Sequence, residues 1–364
     1  MDNKKKIVSG MRPTGKLHLG NYWGALKNWI DLQNKYECMF FVADWHSLTT
    51  GYEDTSKIRQ NTIDMVTDWL ACGLDPEKCV IFRQSDVMEH AELTLLLGMI
   101  TPLGWLLKCP TYREQLIELQ KKKYAGQENK IKKTEGKMMN TFAGTQDITD
   151  EKEVSALAEF SSFGFLGYPV LMTTDVVIHS GELVPVGQDQ VAHLEIARDI
   201  VRRFSELYGK GILVEPKPLL TKSAKVPGLD NRKMSKSYGN AIELGEEQKS
   251  LQQKVMRMYT DPNKKRADDK GNPEGCVVFA LHKLYNSDFK TREAECKQGT
   301  IGCVACKKHL LELLQPHMEN FIEKRKKFEN PTLVNDILAS GAEKAKKSAQ
   351  ITLERVRKAM KVKG

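Results

Sequence analysis

Two short stretches of this sequence combine residues able to handle phosphate. In Arg12-Pro13-Thr14-Gly15-Lys16-Leu17-His18-Leu19-Gly20-Asn21, a Pro/Gly turn leads into an apolar-periodic segment, which puts His18 and Asn21 at a helix start. Free backbone N–H groups at such a start attract anions, Gly20 lets a nucleotide come close, and an imidazole and an amide can bond phosphate oxygens. The second stretch, Lys233-Met234-Ser235-Lys236-Ser237, begins 215 residues after His18 and is followed by Tyr238-Gly239-Asn240. Two lysines three apart on a glycine-flanked loop can close over a triphosphate. They would neutralise the charge that builds on departing pyrophosphate and so act mainly in the transition state. A capped helix without a ligand and a solvated lysine pair are the plainer readings of the two stretches.

A third group, Cys276-x19-Cys296-x6-Cys303-x2-Cys306, offers four soft thiolates of the kind that hold zinc or an iron–sulfur cluster. Free thiols are the remaining possibility. The other cysteines, Cys38, Cys72, Cys79 and Cys109, are scattered without regular spacing and read as buried small residues in a reducing compartment.

The elements that must carry these residues alternate between strand and helix. Lys6 to Gly10 reads as a strand, Leu19 to Gln33 as a helix, Cys38 to Ala43 as a strand, Thr55 to Cys72 as a helix and Val80 to Arg83 as a third strand. Such alternation implies an α/β fold with a Rossmann-like parallel sheet and right-handed crossovers, with ligands beyond the carboxyl ends of the strands. Those ends are the loops after Val8 and after Ala43. Residues 109–160 read as a helical insertion with a mobile tip, basic through Lys121 to Lys137, or as a solvated loop. Sheet-like sequence returns at Val170 to Met172 and at Leu183 to Val186. Helical pattern dominates beyond Asn240. The expected division is a catalytic domain over 1–225, a mobile loop over 226–240 and an all-α domain over 241–364.

At 364 residues, with 40% hydrophobic and 28% charged, the chain can bury a large core, and two domains are expected. No apolar run approaches the roughly 18 to 20 residues that a membrane span needs. Met1-Asp2-Asn3-Lys4 leads into a strand rather than an apolar signal segment, so a cytoplasmic protein is expected. The net charge of +9 suits a polyanionic partner. From Lys307 to Gly364 there are 14 Lys/Arg against 7 Asp/Glu, which concentrates the excess at the C-terminal end.

The two phosphate-handling stretches resemble the HIGH and KMSKS elements of the class I aminoacyl-tRNA synthetases, with His18-Leu19-Gly20-Asn21 standing for the first. The fourth position departs from the consensus histidine, as it does in the tryptophanyl branch, where Gly-Asn-Tyr is usual. The resemblance covers essentially the whole chain. It implies a Rossmann-like catalytic domain, a helical anticodon-binding domain, ATP with Mg2+ as cosubstrate, L-tryptophan and tRNA(Trp) as substrates, and a homodimer joined through the catalytic half.

Which amino acid is activated turns on Tyr168-Pro169-Val170-Leu171-Met172-Thr173-Thr174-Asp175. In the related tyrosyl enzymes a glutamine stands where this chain has Met172. A thioether suits the face of an indole, and the carboxylate of Asp175 can accept the indole N–H, the ring's only donor. Val184-Pro185-Val186-Gly187-Gln188-Asp189-Gln190 is similar to the family's Val-Pro-Val-Gly-Glu-Asp-Gln. By that match Gly187, Gln188 and Asp189 lie against the ATP ribose and Gln190 approaches the substrate ammonium. Val226 matches the position packing on adenine. Asp44-Trp45-His46 matches the family's Asp-x-His near the amino-acid pocket, where His46 is either a ligand contact or a structural histidine. The four cysteines resemble a bacterial subset of the family whose anticodon domain holds a [4Fe–4S] cluster, with the first interval three residues shorter here.

The implied reaction has two steps: attack of the tryptophan carboxylate on the ATP α-phosphate, then attack of the terminal tRNA ribose on the adenylate. His18, Asn21, Lys233 and Lys236 carry the activation chemistry. Arg12, Pro13 and Thr14 shape the ATP loop with Gly20, and Met234, Ser235 and Ser237 complete the lysine loop. The rival readings are tyrosine as substrate, an RNA-binding protein with an inactive synthetase fold, and a nucleotidyltransferase that uses no tRNA.

Overall fold

The structure, a computed structural model, describes residues 4–107, 109, 162–187, 191–220 and 226–362. The expected 109–160 insertion lies outside the described residues apart from Cys109. So do Gln188, Asp189 and Gln190.

Five strands form one parallel sheet: β1 (Lys6–Met11), β2 (Glu37–Val42), β3 (Cys79–Arg83), β4 (Leu183–Val186) and β5 (Lys217–Leu220). Their order is β3-β2-β1-β4-β5. The chain therefore runs outward from β1 in one direction and later resumes on its other side at β4. That reversal leaves a crevice between the carboxyl ends of β1 and β4, the place where parallel sheets bind ligands. β2 is nearly continuous in buried apolar residues, Cys38 to Val42, as expected of a strand covered on both faces.

The helices expected at Leu19 to Gln33 and at Thr55 to Cys72 are present, whereas residues 44–51, expected as a loop after Ala43, form a helix. The first begins with a single turn, α1 (Leu19–Asn21), passes through a π-helical turn at Tyr22–Leu26 and continues as α2 (Lys27–Leu32). After β2 come α3 (Asp44–Gly51) and α4 (Ile58–Cys72). Gly73 ends α4 in the left-handed conformation that glycine adopts without strain. β3 is followed by α5 (Glu89–Ile100) and α6 (Leu103–Leu107).

The expectation of sheet at Val170 to Met172 is corrected: these residues lie inside α7 (Phe163–Val177). Ser162 caps that helix by accepting the Phe165 N–H at 3.1 Å. A short apolar run reads the same whether it fills a buried strand or a buried helix, and α7 is buried along much of its length. α8 (Val191–Tyr208) then connects β4 to β5.

Beyond Asn240 the regular elements among the described residues are helices: α9 (Gln248–Arg257), α10 (Val277–Tyr285), α11 (Phe289–Gln298), α12 (Cys303–Lys326) and α13 (Pro331–Met360). One apolar cluster runs from Leu17 and Leu19 through Ile242 and Leu251 to Leu310, so the helical part shares its core with the first helix of the sheet. α13 returns across the sheet and packs on β3. Small residues make that approach possible: a Cβ on Gly341 would overlap the backbone carbonyl of Ile81, and Ala342, Ala345 and Ala349 follow on the same buried face.

Candidate active site

The phosphate-handling turn leaves the end of β1. Arg12 Nη2 donates to Thr50 Oγ1 at 2.8 Å, and burial lowers the guanidinium pKa. Gly15 takes φ +85°, a conformation that side-chain-bearing residues rarely adopt. His18 then caps α1: its Nδ1 accepts the Asn21 N–H at 3.3 Å, and Asn21 Oδ1 accepts the His18 N–H at 3.1 Å. With Nδ1 engaged as an acceptor, the neutral ring carries its proton on Nε2 and presents a donor. Burial, helped by the charge of Lys236, lowers the His18 pKa to about 4, so the ring is neutral at pH 7. The π-helical turn that follows widens the helix and places Gly24 and Ala25 on the ligand cavity.

The lysine loop is built around Asn240. Its Oδ1 accepts the Ser235 N–H at 2.8 Å, while its Nδ2 donates to Asp230 Oδ1 at 2.8 Å and to the Lys233 carbonyl at 3.1 Å. Pro227 and Lys233 close the loop as an isolated bridge. Met234 is buried against Gly20, and Val226 is buried at the base. Ser235 Oγ and Ser237 Oγ are 2.8 Å apart, Lys233 is exposed, and Lys236 Nζ donates to the Thr14 carbonyl at 3.1 Å. The segment after the loop pairs with the first turn: the Leu19 N–H donates to Ile242 O and the Leu244 N–H to Leu17 O, each at 2.9 Å. The two motifs are thus in contact.

A cavity of about 510 Å3 opens between the carboxyl ends of β1 and β4. Arg12, His46, Tyr168, Met172, Asp175 and Gly187 line it, so these expected residues converge. Its size suits an amino acid beside a nucleotide. His18, Asn21, Lys233 and Lys236 do not line it and form the separate group described above.

At the floor, Asp175 is 2% exposed and surrounded by donors. His46 Nε2 lies 2.8 Å from Oδ2, while His90 Nδ1 and Gln84 Nε2 each lie 2.7 Å from Oδ1. His90 Nε2 continues to His179 Nε2 at 3.0 Å. Burial alone would raise the Asp175 pKa. The hydrogen bonds from His46 and His90 outweigh it and hold the carboxyl well below the usual range. The carboxylate accepts from His90 Nδ1–H, which leaves His90 Nε2 to accept from His179. His179 Nδ1 has no partner among the described residues. Gln84, His90 and His179 were not anticipated from sequence. Gln84 lies in the polar run Arg83-Gln84-Ser85-Asp86, His90 follows Glu89, and His179 precedes Ser180, so nothing in the local pattern separates them from surface polar residues.

The four cysteines, all free, line one small cavity together with Lys264 and Arg292. Burial raises the pKa of Cys276 and pushes that of Cys306 up to about 12. Among the described residues, no three His, Cys, Asp or Glu side chains are closed up as ligands of one metal ion.

A family model described as class I tRNA synthetases (W and Y) matches residues 2–319. The chain is 45% identical to the tryptophan–tRNA ligase of Aquifex aeolicus, over 98% of this chain and 99% of that protein. It is also 45% identical to the tryptophan–tRNA ligase of Thermotoga maritima, over 98% of each. Among solved structures it resembles the tryptophanyl-tRNA synthetase from Campylobacter jejuni complexed with ADP and tryptophan, with a TM-score of 0.75 at 30% identity, covering 98% and 99% of the two chains.

Proposed function

We infer, because the chain belongs to the family of class I tRNA synthetases for tryptophan and tyrosine, that it is a tryptophan–tRNA ligase. It activates L-tryptophan with ATP to tryptophanyl-adenylate and pyrophosphate, then transfers the tryptophanyl group to the 3′-terminal ribose of tRNA(Trp). The observation that carries the substrate is Asp175 at the floor of the cavity with Met172 beside it.

In this reading Met172 lies against the indole face and Asp175 Oδ2, which among the described residues accepts from His46 alone, takes the indole N–H. Tyr168 packs on the ring, Gln190 binds the ammonium, and His46 orients the carboxylate. The substrate carboxylate oxygen then attacks the α-phosphorus, and the bond to the bridging oxygen breaks with loss of pyrophosphate. No side chain acts as a nucleophile. Neutral His18 donates from Nε2 to a phosphate oxygen, as does the amide of Asn21, and Lys233 and Lys236 offset the charge growing on the leaving group. Arg12, Pro13, Thr14 and Gly20 shape the phosphate turn, Gly187, Gln188 and Asp189 meet the ribose, and Val226 packs on adenine. Met234 anchors the lysine loop, and Ser235 and Ser237 complete it. Catalysis is by positioning and charge stabilisation, with ATP entering as its Mg2+ complex.

Residues 241–364 form the anticodon-binding part, whose basic C-terminal helices grip the tRNA. That grip weakens steeply with salt. Exposed Met88, Leu95 and Met99 on and beside α5 support a homodimer through the catalytic half. The free cysteines support a reducing, cytoplasmic setting.

The convergence of Cys276, Cys296, Cys303 and Cys306 on one cavity fits a thiolate-held metal centre, and their spacing favours [4Fe–4S] over zinc. Cys276 and Cys303 stand at the starts of α10 and α12, whose N-termini favour the negative charge of such a centre. Its role would be structural or tRNA-contacting. Metal analysis and the visible spectrum of anaerobically purified protein distinguish the two, and stoichiometric zinc without iron would refute the cluster.

The decisive experiment is ATP–pyrophosphate exchange with tryptophan and, separately, with tyrosine, in wild type and Asp175→Ala. Exchange driven by tryptophan alone and lost in the variant is expected; exchange with tyrosine would overturn the pocket assignment.

A further inference from the structure

The His18 turn is held from behind by a buried carboxylate. The Leu17 N–H donates to Asp68 Oδ2 at 2.6 Å, next to the residue that caps α1. Leu17 and Leu19 are also tied to Leu244 and Ile242, so both neighbours of His18 have fixed backbones. Asp68, on α4, is 1% exposed. Its other oxygen accepts Arg325 Nε at 2.7 Å. Arg325 stands in the last turn of α12 and bonds Asp64 Oδ1 at 3.2 Å and Glu329 as well. A single side chain of the helical part thus reaches, through one carboxylate, the backbone amide beside His18.

Asp68 would not keep this geometry unaided. Burial pushes its pKa up, and the Leu17 N–H and Arg325 are the groups that oppose the rise. The charged groups near it are Arg325, Asp64 and Lys236, and Asp64 works against ionisation. A buried carboxylate stripped of its cation protonates or rotates toward water. Either change replaces a charge-assisted bond to the Leu17 amide with a weaker one.

We propose that Arg325 is a positioning residue for adenylate formation, holding the phosphate turn in its reactive geometry through Asp68. This proposal rests on the functional reading above. The tryptophan cavity is lined by neither Arg325 nor Asp68, so the effect falls on turnover rather than on tryptophan binding.

The test is tryptophan-dependent ATP–pyrophosphate exchange in wild type, Arg325→Met, Asp68→Asn and the double variant, with thermal melting in parallel. Methionine retains most of the apolar stem of arginine and removes the charge. Arg325→Met is expected to lower kcat about 10- to 100-fold with KM for tryptophan changed less than about 2-fold, the loss of one transition-state contact. The double variant should be no slower than the slower single variant, because both substitutions break one chain of contacts. Arg325→Lys should recover part of kcat, and it carries the test should Arg325→Met fail to fold. Glu329→Gln, which touches Arg325 but not Asp68, should leave kcat unchanged. Wild-type kcat in folded Arg325→Met, or losses that multiply in the double variant, would overturn the proposal and leave the pair a structural bridge. No exchange in the wild type would instead overturn the functional reading, and this proposal with it.

Discussion

The ammonium of Lys236 lies 3.1 Å from the carbonyl oxygen of Thr14, a bond that joins two turns 222 residues apart in the chain. Burial lowers its pKa, so the loop carries its charge in a partly desolvated place where that charge acts strongly. Lys236→Met is expected to lower kcat for tryptophan-dependent exchange by about 10²- to 10³-fold. KM for tryptophan should hardly move, because the lysine does not line the amino-acid cavity. Steady-state exchange at saturating ATP measures both, and an unchanged kcat would remove this lysine from the chemistry.

His90 is expected to control tryptophan binding without touching tryptophan. His90→Phe keeps an aromatic ring beside Phe41 and Phe82 but leaves Asp175 Oδ1 with Gln84 as its remaining donor among the described residues. Asp175 is then held less firmly in the charged state and orientation that accept the indole N–H, so KM for tryptophan should rise, by at most roughly 10- to 100-fold, the full worth of about 1.5–3 kcal/mol of a bond to a buried charge. His90→Asn, whose amide can replace the Nδ1–H donor, should recover much of the loss. Equal KM values for the two variants would refute the role.

Met172→Gln places an amide where the related tyrosyl enzymes carry one. Tryptophan activation should fall about 10-fold in kcat/KM, since the amide must be desolvated against an indole face. The preference for tryptophan over tyrosine should narrow accordingly. The ratio of the two exchange rates reports it.

Stability should fall as pH drops from about 6.5 toward 4. In the fold the His18 pKa is lowered to about 4, and that of His179 lies well below the ordinary value of 6.5, through burial in both cases. Within this window the unfolded chain binds more protons than the folded one, so stability rises with pH. The stability supported by the neutral rings is present above pH 6.5 and is lost in acid. Each group contributes at most about 1.4 kcal/mol per pH unit, less where water reaches the ring. Urea unfolding from pH 7.5 to 4.5 should show this slope, and His18→Asn, which keeps a cap, should flatten it.

Gly341→Ala should destabilise by about 1–3 kcal/mol or more, although alanine is the better helix former by about 1 kcal/mol. The added methyl would overlap the Ile81 carbonyl, where backbone rather than a movable side chain receives it. A raised melting temperature would show that α13 does not press on β3 as described.

The sequence by itself determined the parallel α/β class, the positions of the phosphate turn and lysine loop, and the residue types at Met172 and Asp175. These are local matters: strand and helix periods, turn chemistry and short motifs are written in neighbouring residues. It could not separate strand from helix at Val170 to Met172, because burial on all sides erases the period. Nor could it show that Lys236 meets Thr14, that His46, His90 and Gln84 crowd one carboxylate, or that Arg325 reaches Asp68. Those partners are brought together by the strand order β3-β2-β1-β4-β5 and by the return of the C-terminal helices over the sheet. Hydrogen bonds and ion pairs between distant segments are fixed when the common core closes, so only the tertiary structure decided which polar residues would be buried together and therefore which would be charged.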